Sequence, residues 1–220
     1  MKEVAIFDVD DCLGVLFTLL HPELEKVAGK AIPREKWANQ DIERDYGITT
    51  QMLLDVIVER ELLQKMEPLP NAVRIVNAIH DLGYRTVALT ARAYHPQGQN
   101  ITEDWMSRKG FMMDEVVILP VGQSKADMVR KIVGERGFAA MFIDDAGKHV
   151  RGVAQAHLAE QAFLLRGHIR DEGAGNYPLV VDTLQEMYIQ FLARHMVKKM
   201  SHNQLENHLW ELMRETRQVG

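Results

Sequence analysis

Residues Val4 to Gly14 read VAIFDVDDCLG. The apolar run Val4–Phe7 is too short for a helix and is bounded by turn formers, so it reads as a buried strand. It discharges into three carboxylates, Asp8, Asp10 and Asp11, with Cys12 and Gly14 close behind. Such a cluster repels itself unless a cation, a proton or a lysine shares the space.

Downstream, the chain reads as helical from about His21 to Met66. Pro22 and Pro33 are each expected in a first helical turn, and Thr49 or Thr50 is expected to cap the apolar-rich QMLLDVIVERELLQKM. Pro68 to Pro70 break this region and open a further helix, NAVRIVNAIHDLG, with Gly83 as its C-terminal stop. A regular alternation follows. YRTVALT reads as a strand, ITEDWMSRKG as a helix, DEVVILP as a strand and SKADMVRKIVGERG as a helix. FAAMFIDD is then a strand, GKHVRGVAQA a helix and AFLLR a fifth strand. Strands alternating with helices over short connections imply right-handed crossovers and an α/β, Rossmann-like parallel sheet with helices on both faces. The sequence has no internal repeat and no low-complexity segment.

The segment from Thr183 onward is helical by pattern. Leu184, Met187, Tyr188, Phe191, Leu192 and Met196 share one face, and Ser201 with Gln204 forms a potential capping box restarting a helix at Leu205. The stripe suits packing on the chain's own core; pairing with a second copy, a homodimer through the C-terminal helices, is the alternative. The expected division is a core of residues 1–14 and 67–182, a small helical cap over 15–66 and a C-terminal helical extension over 183–220.

The 220 residues carry a net charge of −5, with 46% apolar and 26% charged side chains, the composition of a globular protein with a well-filled core. The acidic balance argues against a generally basic nucleic-acid binder. A single cysteine excludes an internal disulfide and a multi-cysteine zinc site. The N-terminal apolar run is too short for a signal peptide, and no stretch is long enough to span a bilayer, so a soluble cytoplasmic protein without a membrane partner is expected.

In open parallel sheets, ligands bind outside the carboxyl ends of the strands. Asp8, Asp10 and Asp11 follow the first strand, and Thr90 and Arg92 the second. Lys125 starts the helix after the third, and Asp144 and Asp145 end the fourth. Several carboxylates can hold magnesium, which prefers hard oxygen ligands. A threonine hydroxyl, a lysine ammonium and that ion together can neutralise and orient a phosphoryl group. A neighbouring aspartate can attack phosphorus, and a second carboxyl can protonate the leaving oxygen.

FDVDDCL, the threonine of VALTAR, the lysine of GQSKAD and the paired acids of MFIDDAGKHV resemble, in order and strand context, the four motifs of the haloacid dehalogenase-like (HAD) superfamily. The resemblance covers roughly Lys2 to Arg166. It implies Asp8 as nucleophile and magnesium ligand, and Asp10 as general acid and then base, its carbonyl a further metal ligand. It further implies Thr90 and Lys125 as phosphoryl-binding groups, Asp145 as the main metal ligand of the fourth motif, and Asp144 as support for metal waters or Lys125. A carboxyl at Asp10 favours phosphate chemistry over carbon–halogen hydrolysis, because halide leaves without a proton. Asp11 stands where glycine is frequent, and Cys12 replaces the usual threonine.

Outside those motifs, Asp11 reads as a helix or turn cap, Cys12 as a small packing group, and His95 and His149 as loop residues. The Thr-Ala-Arg element resembles that of nucleotide-type and polynucleotide 3′-phosphatases of the superfamily, which implies that Arg92 binds substrate phosphate. Tyr94, in the connection from Ala91 to Gly98, suits either local packing or stacking on a ring. The helical block sits where the resembled family carries a cap that closes over the site. The expected function is that of a magnesium-dependent phosphohydrolase acting on a phosphomonoester through an aspartyl-phosphate. A small phosphorylated substrate is favoured, with a nucleotide or the 3′-phosphate end of a nucleic acid as a candidate. The alternatives are a phosphotransferase or mutase of the same superfamily and a non-catalytic HAD-like or receiver-like binding protein. Motif order disfavours a receiver, which would need its phosphorylated aspartate after a middle strand.

Overall fold

The computed structural model describes residues 2–37, 42–166 and 179–199. From the N-terminus, β1 (Val4–Phe7) leads to a two-residue strand, β2 (Gly14–Val15). Four helices follow: α1 (Phe17–Ala28), α2 (Ile42–Tyr46), α3 (Thr50–Glu59) and α4 (Leu62–Lys65). Strand β3 (Glu67–Pro68) then runs antiparallel to β2, with Gly14 opposite Pro68 and Val15 opposite Glu67. The helical block thus leaves and rejoins the chain through one narrow ribbon. Trp105 pins the base of this ribbon. Its indole Nε1 donates to the Met66 carbonyl at 2.9 Å, and a Cβ on Gly14 would stand 2.9 Å from its ring, so only glycine fits there.

The remainder alternates: α5 (Ala72–Asp81), β4 (Arg85–Thr90), α6 (Gly98–Lys109), β5 (Glu115–Ile118), α7 (Lys125–Val133), β6 (Ala139–Asp144), α8 (Gly147–Gln155) and β7 (Ala159–Leu165). Strand β8 (Leu179–Val181) and helix α9 (Leu184–Lys199) complete the described residues. The main sheet has six strands in the order β5-β4-β1-β6-β7-β8, and every neighbouring pair is parallel. The two-residue alternation of strands sorts their side chains onto opposite faces. Ala5, Phe7, Ala88, Met141, Ile143 and Phe163 join the core shared with α1, α5, α6 and α9, whereas Val4, Ile6, Val87, Leu89 and Phe142 join the core shared with α7 and α8. In α5, Ala72, Ile75, Val76 and Ile79 recur at helical spacing and are buried.

The α/β sheet with helices on both faces is the architecture anticipated from the alternation, with these differences. Helix α1 begins at Phe17, so Pro22 lies inside it rather than in its first turn. The early start has a local cause: Asp11 Oδ1 accepts from the backbone N–H groups of Leu16 and Phe17 at 2.8 and 2.9 Å. The apolar-rich segment expected as one helix is two, because Glu61 adopts φ +51° between α3 and α4. Thr49 caps α3, its hydroxyl accepting from the Met52 N–H at 3.2 Å. A sixth strand, β8, extends the sheet. In α9, Leu184, Met187, Tyr188, Phe191, Leu192 and Met196 are all buried in the chain's own core. The capping box at Ser201 and Gln204 and the helix restart at Leu205 lie outside the described residues. No helix among the described residues is long and apolar enough to cross a membrane.

Candidate active site

Three parallel strands deliver their ends to one place. The chain following β1 carries Asp8 and Asp10, Thr90 ends β4, and Asp144 ends β6 with Asp145 next. Lys125 reaches the same point from the first turn of α7. Ser124 caps this helix, accepting from the Asp127 N–H at 3.1 Å. That cap fixes the direction in which the lysine enters. The Lys125 side chain is 2% exposed, and its Nζ lies 2.5 Å from Asp8 Oδ1 and 2.6 Å from Asp144 Oδ2. Burial disfavours the ammonium, but Asp144 and Asp8 outweigh it and hold Lys125 charged.

One lysine does not balance this many acids. Asp8, Asp144 and Asp145 each place a potential ligand atom within 4.8 Å of the others. Burial, with Asp144 and Asp10 adding repulsion, pushes the Asp8 carboxyl up to about 6 against the pull of Lys125. Asp145 is pushed well above the carboxylate range by burial and then by Asp8 and Asp144. Asp144 alone of the three is lowered; burial opposes this, and Lys125 and His149 overcome it. A pocket of hard oxygen donors whose protons are held only by crowding fits a divalent cation of the magnesium type.

Asp10 stands slightly apart. Its side chain is 25% exposed and meets Arg92 in a two-point contact, Nη2 to Oδ1 at 2.6 Å and Nε to Oδ2 at 3.0 Å. Thr90 Oγ1 donates to the same Oδ2 at 3.3 Å. Arg92 is completely buried. Its Nη1 donates to Thr102 Oγ1 at 2.9 Å, and that hydroxyl donates to the Gly98 carbonyl at 2.6 Å. The expectation that Arg92 binds substrate phosphate therefore meets a different geometry: the guanidinium lies behind Asp10 and does not line the cavity. Asp10 and Asp8 keep the arginine strongly charged despite its burial.

A cavity of about 360 Å³ opens above this floor, with Asp8, Asp10, Thr90, Lys125, Asp144 and Asp145 on the sheet side. Leu16, Leu20, Ile42, Leu53, Leu54 and Ile57 line the side formed by the helical block. Tyr94 also lines it, half-buried. Cys12 is fully buried in the core, where burial raises its thiol well above its usual range, in keeping with a packing role.

Sequence reasoning missed three participants. His149 is on α8, not in a loop, and its Nδ1 lies 3.3 Å from Asp144 Oδ1. Thr102 and Gly98 hold Arg92. An Arg-x9-Thr spacing running from a strand end into the next helix is the available signal, and it becomes readable only once α6 is known to begin at Gly98.

No protein-family model matches the chain, and no curated protein matches it in sequence. Solved structures do match in fold. A haloacid dehalogenase-like family hydrolase from Streptococcus pneumoniae superposes with a TM-score of 0.63 at 13% identity, over 86% of this chain and 98% of that one. A predicted phosphatase from Clostridium acetobutylicum gives 0.63 at 13% identity, over 88% and 99%. The D,D-heptose 1,7-bisphosphate phosphatase of B. bronchiseptica, complexed with magnesium and phosphate, gives 0.51 at 16% identity, over 88% and 99%. With its parallel sheet, the helical block inserted after the first strand and the acids gathered at the strand ends, this chain has the haloacid dehalogenase-like fold.

Proposed function

We propose that the protein is a magnesium-dependent phosphohydrolase that cleaves a phosphomonoester through an aspartyl-phosphate on Asp8. One observation carries this reading: Lys125 bridges Asp8 and Asp144 in a buried pocket that still holds more acid than one lysine offsets. Such an excess suits a cation together with a phosphoryl group.

Asp8, Asp144 and Asp145, with the Asp10 carbonyl, would hold the magnesium ion, which supplies charge neutralisation for the phosphoryl oxygens. Thr90 and Lys125 bind and orient those oxygens. A carboxylate oxygen of Asp8 attacks phosphorus as the phosphorus–oxygen bond to the leaving group breaks. Asp10 gives its proton to the departing oxygen. Asp10, now ionised, takes a proton from water, and that water attacks phosphorus and returns Asp8 to the carboxylate. Arg92 and Thr90 orient the Asp10 carboxyl, and the proton that it passes to the leaving oxygen is brought by the monoanionic phosphomonoester as it binds.

The expectation of a nucleotide or polynucleotide 3′-phosphate rests on Arg92 binding the substrate phosphate. With Arg92 committed to Asp10, that preference loses the residue that motivated it. Phosphate release from p-nitrophenyl phosphate, with and without magnesium, tests the reading. Magnesium-dependent release that disappears in Asp8→Asn supports it, and release that survives the substitution refutes it.

A further inference from the structure

We propose that the leaving group of the substrate is apolar, a compact alkyl or aryl alcohol rather than a sugar or a nucleoside. The inference rests on the phosphohydrolase reading for the position of the phosphoryl group, and on the opposite wall of the cavity for the rest of the ligand. That wall is built by Leu16 and Leu20 of α1 and its N-terminus, Ile42 of α2, and Leu53, Leu54 and Ile57 of α3. Among the described residues of the helical block, Glu43 is the one charged group in the lining; Lys148 and His149 of α8 also line the cavity. Leu53 and Leu54 are only half-buried although both belong to a strongly apolar helix. With Ile57 they turn one face of α3 toward the space above the carboxylates.

A phosphomonoester seated on Thr90 and Lys125 directs its organic portion toward this wall. Each methylene buried there improves binding about fourfold. Each sugar hydroxyl buried against the six aliphatic side chains, away from Glu43, gives up water without a partner, at a loss of roughly tenfold or more. At about 360 Å³ the space is near the lower end of the range for small-ligand sites, roughly 300–1,000 Å³. It accommodates a phosphoryl group with a short organic tail.

The test separates binding from turnover. Asp8→Asn protein with magnesium is titrated calorimetrically with n-alkyl phosphates from ethyl to hexyl, with glucose 6-phosphate and with 3′-AMP. Alkyl phosphates share nearly the same leaving-group basicity, so chain length is the only variable. The dissociation constant is expected to fall about fourfold per methylene, with glucose 6-phosphate and 3′-AMP binding no tighter than ethyl phosphate. Wild-type kcat/KM should follow the same order. Leu54→Asn should flatten the dependence on chain length, and Leu53→Asn serves the same purpose if the first variant does not fold. Affinity independent of chain length, or glucose 6-phosphate or 3′-AMP binding tighter than hexyl phosphate, would overturn the proposal. A clear chain-length dependence with no turnover by the wild type would overturn the phosphohydrolase reading and leave the apolar assignment standing.

Discussion

Arg92 grips Asp10 at two points, Nη2 to Oδ1 at 2.6 Å and Nε to Oδ2 at 3.0 Å, from a position with no solvent exposure. A guanidinium presents two donors in a fixed plane, and a carboxylate accepts both without rotating. An ammonium on a flexible stem cannot replace it. Arg92→Lys should therefore lower kcat for alkyl phosphates by about 10²-fold, with a much smaller change in KM. p-Nitrophenyl phosphate, whose leaving group departs without a proton, should suffer less in its first step. Steady-state kinetics on the two ester classes checks this, and equal losses on both would remove Arg92 from the positioning of the acid.

The same clamp depends on a glycine. A Cβ on Gly98 would lie 2.4 Å from the Arg92 carbonyl oxygen, a backbone atom that cannot swing aside. Gly98→Ala should cost about 1–3 kcal/mol of stability. It should also reproduce part of the Arg92→Lys leaving-group effect. Thermal unfolding and the same pair of substrates measure both.

Lys125 is the second buried cation of the site, and the acids around it set the cost of its loss. Lys125→Met keeps the volume and leaves Asp8 and Asp144 facing each other without the intervening charge. Breaking a buried ion pair from one side costs about 3–5 kcal/mol. Phosphate release should fall by at least about 10²-fold. Magnesium should restore part of the lost stability but not the activity, because the phosphoryl oxygens still lack their lysine.

The metal should compete with protons. Burial and the neighbouring Asp144 and Asp10 push the Asp8 carboxyl of the folded protein up to about 6 against the pull of Lys125, above the ordinary aspartate value of about 3.9. Between these two values the folded state holds a proton that the unfolded chain has lost. Metal-free stability therefore declines as pH rises through that window. The raised Asp145 carboxyl acts in the same direction. Magnesium replaces the protons, so the increase in Tm on adding it should be larger near pH 8 than near pH 5. An equal increase at both would contradict binding at Asp8 and Asp145.

Much of this site was legible from the chain because parallel strands end on one edge. Once VAIF, RTVALT and AAMFID were read as such strands, Asp8, Thr90 and Asp144 had to converge, and a lysine opening the next helix could reach them. Asp11 was legible as a helix cap for a similar reason: an acid just before an apolar helix has unpaired N–H groups in front of it. The partner of Arg92 was not legible. Its position after β4 places it near the site, but whether its side chain turns toward solvent or toward Asp10 depends on Thr102, one helix later. Pro22 signals a first helical turn, but the capping carboxylate is that of Asp11, six residues before Phe17, so α1 starts earlier than the proline indicates. Strand β8 was missed because Leu179–Val181 is only three residues long and pairs with β7 alone among the described strands.

Asp8 as the carrier of the phosphoryl group is open to direct observation by trapping the adduct. Asp10→Asn protein, in which the attack of water is slowed, is mixed with magnesium and p-nitrophenyl phosphate, quenched in acid and digested for mass analysis. One phosphoryl group is expected on the peptide containing Asp8 and none in the Asp8→Asn, Asp10→Asn double variant. Wild-type phosphate release with no phosphoryl adduct at Asp8 in the trapping variant, or release undiminished by Asp8→Asn, would contradict this role of Asp8.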